Sequence, residues 1–275
     1  MKAYLLLLAC LALTFAGLLQ AQDKPNVLIY THNGKGYVHD NIPACVASLK
    51  SICDSNGWPC EASDEPNIFT PEKIKTFDVL VFANTNNETF YTDAQRQVFQ
   101  QYIQNGGGFV GIHSACGSER NWPWFWANLG GKFRWHPHQQ DFDLKVMDPN
   151  HPSTDFLPTT WQWKNDECYF IDHLNDDIHV LLAADLTTIE LNKDEEPRMK
   201  EYPGASFGDR FPLAWCHEFD GGRQWYTALG HESAHYQDPN FVRHITGGIQ
   251  WVMDRQSDDQ QKPKGDDNDA QKRIP

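Results

Sequence analysis

Three short, fully apolar runs constrain this chain more than anything else in it: Asn26 to Tyr30 (NVLIY), Val79 to Ala83 (VLVFA) and Phe109 to Ile112 (FVGI). A strand that is apolar on both faces must be covered on both, and parallel strands joined by crossover helices achieve this. Helix signals stand between the runs. Asp40 or Asn41 can cap a helix that runs to Asn56 and stops at Gly57, and Thr92-Asp93-Ala94-Gln95 is a capping box opening a helix that ends at Asn105 before Gly106-Gly107-Gly108. The pattern predicts an α/β, flavodoxin-like domain with a doubly wound, mostly parallel sheet and helices on both faces. The second half is less regular, with short stretches at Leu144 to Val146, Thr160 to Trp163 and Val180 to Ala183. A hairpin is expected from Pro212 to Phe219 and Arg223 to Leu229 around Asp220-Gly221-Gly222. Asn240 to Arg255 carries Phe241, Ile245, Ile249 and Val252 at helical spacing and reads as a closing helix.

The two ends read differently. Lys2, the apolar run Leu5 to Leu19 and then Leu19-Gln20-Ala21 form a secretory signal peptide, residues 1–21, so a secreted or periplasmic location is expected. Leu7-Leu8-Ala9-Cys10 also resembles a lipoprotein box, although the run continues past it. Residues 256–275 mix Asp, Lys, Gln and Pro with almost nothing apolar and are expected to be a disordered tail. Between them, residues 22–255 are expected to form one domain with no membrane anchor after cleavage. A net charge of -14 repels nucleic acid and anionic membranes at long range, so a small polar ligand is the expected partner. The sequence leaves a homo-oligomer open. Six cysteines follow the leader (Cys45, Cys53, Cys60, Cys116, Cys168, Cys216), and spacing does not reveal whether they pair; Cys53 and Cys60 are the first pair to test.

In a doubly wound sheet, ligands bind beyond the carboxyl ends of the strands. Histidines recur there: His39 in the loop after the first run, His113 ending the third, and His231 ending the hairpin, with His136 and Glu167 in irregular segments between. As free side chains, such imidazoles and a carboxylate pass protons as general acid and base. As ligands, two or three neutral histidines and a carboxylate suit zinc, manganese or iron. Spacing indicates no metal site. There is no HExxH helix, His231 and His235 follow a glycine, and His136 and His138 alternate on extended chain. The cofactor, if any, is unknown from sequence.

Gly106 to Ala115 has the layout of a nucleophile elbow, an apolar strand followed by a sharp turn. It resembles that of class I glutamine amidotransferases, with His113 where their cysteine would stand. Trp225 to Glu232 resembles the strand delivering their catalytic histidine. Without a thiol at His113, and with Glu232 directly after His231, a Cys-His-Glu triad cannot be assembled, and glutaminase activity is not expected. A more specific resemblance rests on Gly36 to Asp40, Gly106 to Ala115, Trp122-Pro123-Trp124, and Gly130 to Phe133 leading to His136-Pro137. It continues through Asp166 to Tyr169, Pro212 to His217, Leu229-Gly230-His231 and Gly248 to Trp251. On these segments the chain resembles the ThuA-like, trehalose-utilisation family. The resemblance implies a glutamine amidotransferase-like fold and a role in carbohydrate catabolism, on trehalose or 3-keto-glycosides. Within it, His113 and His231 are expected to transfer protons with Glu167 as partner or base, and His39 and His136 to bind substrate. Trp122 and Trp124 are expected either to wall the sugar site or to pack a helix on the sheet, and Thr188 to Arg210 to loop over the cleft. A non-catalytic sugar-binding module and a metal-dependent hydrolase are the alternatives.

Overall fold

The computed structural model describes residues 24–201 and 208–254. The expected leader (1–21) and charged tail (256–275) lie outside the described residues, as do residues 202–207 of the expected loop. The first run forms β1 (Val27–Tyr30), buried along its whole length. It leads to α1 (Ile42–Asn56), which Gly57 closes in the left-handed conformation. Then come β2 (Cys60–Ser63), the single turn α2 (Pro71–Ile74), β3 (Val79–Ala83) and α3 (Asp93–Gln104). The capping box at Thr92 and Gln95 is made in both directions. β4 (Gly108–Ile112) ends in a tight 3-10 turn, His113–Gly117, followed by α4 (Pro123–Leu129), β5 (Lys132–Trp135), β6 (Gln140–Val146), β7 (Thr160–Asp166) and β8 (Phe170–Asp172). The chain closes with β9 (His179–Asp185), α5 (Glu196–Glu201), β10 (Arg210–Phe219), β11 (Gly222–Thr227) and α6 (Pro239–Met253).

Nine strands form one sheet in the order β2-β1-β3-β4-β11-β10-β9-β6-β7, and β5 pairs with β8 in a small separate ribbon. From β2 to β11 every pairing is parallel, in the flavodoxin-like order, with β11 in fifth place. One face carries α3 and α4, whose Phe99 and Phe125 pack with Phe82 and Phe109 of the sheet. α1 and α6 cover the other. Beyond β11 the pairings are antiparallel. The β10–β11 hairpin turns at Asp220 (φ 48°) and Gly221 (φ 93°), both in the positive-φ region that a two-residue turn of this hand requires.

The antiparallel half does not continue flat. It curls until Trp161 and Trp163 of β7 meet α6, with ring centroids 5.1 Å apart for Trp163 and Phe241 and 6.3 Å for Trp161 and His244. The carboxyl end of the edge strand is thereby returned to the carboxyl end of β11, four strands away.

Two sequence expectations take a different form. Asn41 stands at the start of α1 but makes no side-chain cap; its amide is used elsewhere, as described below. Trp122 and Trp124 stack on each other in the aromatic layer beneath α3, at 6.5 and 5.9 Å from Phe99. Trp124 donates to Asp220 in the β10–β11 turn, at the end of the sheet opposite His231. These two rings pack a helix on the sheet instead of walling the histidine cluster, because the i, i+2 pair straddles the start of a short helix whose apolar face is inward. All six cysteines are free thiols, and Cys53 and Cys60 are not bridged.

Candidate functional site

β4 leads directly into His113, whose φ of 50° places a β-carbon-bearing residue in the left-handed region. This is the elbow expected from sequence, and it costs on the order of 1–3 kcal/mol that the surroundings must sustain. The phenol of Tyr226 donates to the His113 carbonyl (2.8 Å), and Nδ1 of His113 donates to the Ala228 carbonyl (2.7 Å). A carbonyl can only accept, so the ring proton is on Nδ1 and Nε2 offers its lone pair. Nε2 points at His39 Nε2, 3.2 Å away, and takes a hydrogen bond from Tyr169 Oη at 2.9 Å.

His231 arrives from β11 through Gly230, which has φ 114° and lies so close to Tyr236 that an added β-carbon would sit 2.7 Å from its hydroxyl. The loop is held from two sides. The fully buried Asp166 accepts from the amides of Gly230 (2.9 Å) and His231 (3.2 Å), from Trp163 Nε1 (2.6 Å) and from the Glu167 amide (2.7 Å). Asn41 donates to the carbonyls of Gly230 (2.7 Å) and His231 (2.6 Å) and to Asn84 at the end of β3. The next residue after Asp166 is Glu167. Its Oε2 lies 3.1 Å from His231 Nδ1 and 3.8 Å from His113 Nε2, and its Oε1 lies 3.3 Å from His136 Nε2.

The structure therefore brings His39, His113, Glu167 and His231 together, their ligand atoms all within 4.8 Å of one another, with His136 on the outer side of Glu167. Burial holds His113 well below the usual histidine range, with His39 reinforcing it, and lowers His39 to about 4, with His231 reinforcing. Burial opposes charge on Glu167 and His231 too. Their mutual contact overrides it, keeping the carboxylate ionised and raising the imidazole. Two neutral electron-pair donors thus face a carboxylate and the imidazole it contacts, and such a donor set can move protons or bind a cation. Cys116 is buried beneath the turn with its thiol raised to about 12, too high for a nucleophile.

Three contributors were not legible as site residues: Asn41, Asn84 and Tyr169. Asn41 carried the signal of a helix cap, and Tyr169 stood only inside the segment Asp166 to Tyr169 that carries the family resemblance. Tyr37 also reaches the rim: it is 62% exposed, with its ring edge-on to His39 at 4.8 Å. The expected loop is tied to the segment bearing His136. Glu195 accepts from the amide of His138 and lies 2.9 Å from its Nδ1, and Arg198 stacks on Trp135.

The family model for ThuA, described as trehalose utilisation, matches residues 26–252. Among solved structures, the chain is similar to a ThuA-like protein of Bacteroides uniformis, with 24% identity and a TM-score of 0.67 over 84% of this chain and 92% of that one. A ThuA-like protein of Parabacteroides merdae gives 20% identity and a TM-score of 0.63 over 84% and 90%. A β-galactosidase from Rahnella sp. R3 shares the fold over 83% of this chain but 31% of its own, at 12% identity and a TM-score of 0.52. No curated protein sequence matches the chain.

Proposed function

The chain belongs to the ThuA, trehalose-utilisation family, and from that premise we propose that it is an exported enzyme of carbohydrate catabolism. Its substrate would be trehalose or a 3-keto-glycoside, and its chemistry proton transfer beside a carbonyl. The supporting observation is the convergence of His39, His113, His231 and Glu167 from four separate strand-end segments into one partly open cluster. A proton next to a carbonyl is labile, and an ionised carboxylate placed against it is the base such a step needs. Glu167 takes that part. His136, with 34% of its side chain exposed, accepts the proton from the outer oxygen and passes it to solvent. His231 steadies the carboxylate. His113 and His39, neutral and dry, act as electron-pair donors, a narrower part than proton transfer for His113. Tyr37 supplies the aromatic face for a pyranose ring that Trp122 and Trp124, packed elsewhere, do not.

Incubation with trehalose, its 3-keto form and related keto-glycosides, read by mass spectrometry, tests this reading. A gain of one water indicates hydrolysis, and a new isomer of unchanged mass indicates isomerisation. Glu167→Gln should lower kcat by about 10²–10⁴-fold with the fold intact. Full activity in a Glu167→Gln/His231→Ala double variant would end the proposal, and saturable sugar binding without any product would favour a sugar-binding module instead.

A further inference from the structure

We propose that His39, His113, His231 and Glu167 bind one divalent transition-metal ion at this cluster, a reading that deepens the one above by naming the cofactor of the same site. The spacing is the first argument. Donors about 2.0–2.2 Å from a tetrahedral ion stand about 3.4 Å from each other. Three of the six donor pairs here stand at 3.2 Å (His39 Nε2 and His113 Nε2), 3.1 Å (His231 Nδ1 and Glu167 Oε2) and 3.8 Å (His113 Nε2 and Glu167 Oε2), and all four donors lie within 4.8 Å of one another.

The second argument is protonation. The Ala228 carbonyl fixes the His113 proton on Nδ1 and leaves Nε2 as a donor of electrons, the arrangement by which metal-binding histidines are oriented. His231 Nδ1 is buried, turned toward Glu167, and makes no aligned hydrogen bond. Tyr169 Oη stands 2.9 Å from the His113 lone pair and would give up that place to an ion. Third, the outer shell is built. Asp166 grips the His231 and Glu167 amides, and His136 grips the free oxygen of Glu167. Three imidazoles and a single carboxylate select zinc, iron, manganese, cobalt or nickel over magnesium and calcium, which require oxygen-rich sites. His231 and Glu167 keep 15 and 14% of their side chains exposed, and from that side a water or a substrate oxygen would complete the coordination as a fifth donor.

The experiment uses the full chain, stripped of metal by dialysis and checked for fold by circular dichroism and melting temperature, then titrated with Zn²⁺ or Co²⁺ alone by calorimetry. One equivalent per chain is expected, with visible absorption bands on adding Co²⁺ that Zn²⁺ displaces. Glu167→Gln and His231→Ala, folded like the parent, should each weaken binding at least ~100-fold, while His179→Ala, on a distant strand, binds as the parent does. Absence of saturable uptake of Zn²⁺, Co²⁺, Mn²⁺, Fe²⁺ or Ni²⁺ overturns the site, as does uptake equal in the parent and both site variants. Because uptake is read without a sugar, its failure leaves the sugar reading intact. Uptake by a protein that turns over no sugar supports the metal site and removes that reading.

Discussion

The two oxygens of Glu167 face different company, one toward the buried imidazoles and the other toward His136 at the mouth, so a single residue joins the dry interior of the cluster to solvent. Its neighbour Asp166 works through the backbone. With four donors on one buried carboxylate, Asp166→Asn puts an amide donor against amide donors and should cost about 3 kcal/mol, read as a lower denaturant midpoint. An unchanged midpoint would show that water can replace the carboxylate there. Tyr37 is the opposite case, exposed, with its ring edge-on to His39. Tyr37→Ala should raise KM for the sugar about tenfold with kcat little changed, and Tyr37→Phe should restore it. A loss confined to kcat would move Tyr37 from ligand recognition to the chemistry.

At the scale of elements, two residues with the same sequence signature do different work. Thr92 caps α3 by both arms of a capping box, and Thr92→Ala should cost about 1 kcal/mol with no effect on turnover. Asn41, which reads as the equivalent cap of α1, spends its amide on the ends of β3 and β11. Asn41→Ala takes the donor from one buried and one part-buried carbonyl, so it should cost about 1–3 kcal/mol and also impair turnover by releasing the His231 loop. Equal behaviour of the two variants in a combined stability and activity assay would refute this distinction. A side chain able to bond either its own helix or a neighbouring strand end is not resolved by local pattern, since only the strand positions decide which partner is nearer.

Across the whole molecule, burial of neutral histidines ties stability to pH. Away from the cluster, His151 is held at about 4 by burial, with Asp148 pulling the other way, and His244 at about 3 by burial, with the Ser153 carbonyl pulling the other way. The unfolded chain takes up protons below about pH 6.5 while the folded chain does not. Stability is therefore complete above that value and falls as pH drops toward 4, by on the order of 3 kcal/mol for each of these two residues. Denaturant unfolding at pH 7 and pH 4.5 checks this, and equal midpoints would refute it. The flavodoxin-like strands and their helices were legible in the sequence because a doubly covered strand must be continuously apolar and a crossover helix must carry its own start and stop, both local demands on neighbouring residues. His39, His113 and His231 were legible for the same reason, as polar residues at the ends of such strands. Glu167 was expected beside them from the family resemblance and from no strand-end pattern, and what carries it there is tertiary structure. The antiparallel half curls so that Trp161 and Trp163 bury themselves on α6, and that packing swings the end of an edge strand past the three strands between it and β11. Curvature of this kind is set by the fit of large side chains between elements distant along the chain, a quantity that no spacing within any one segment records.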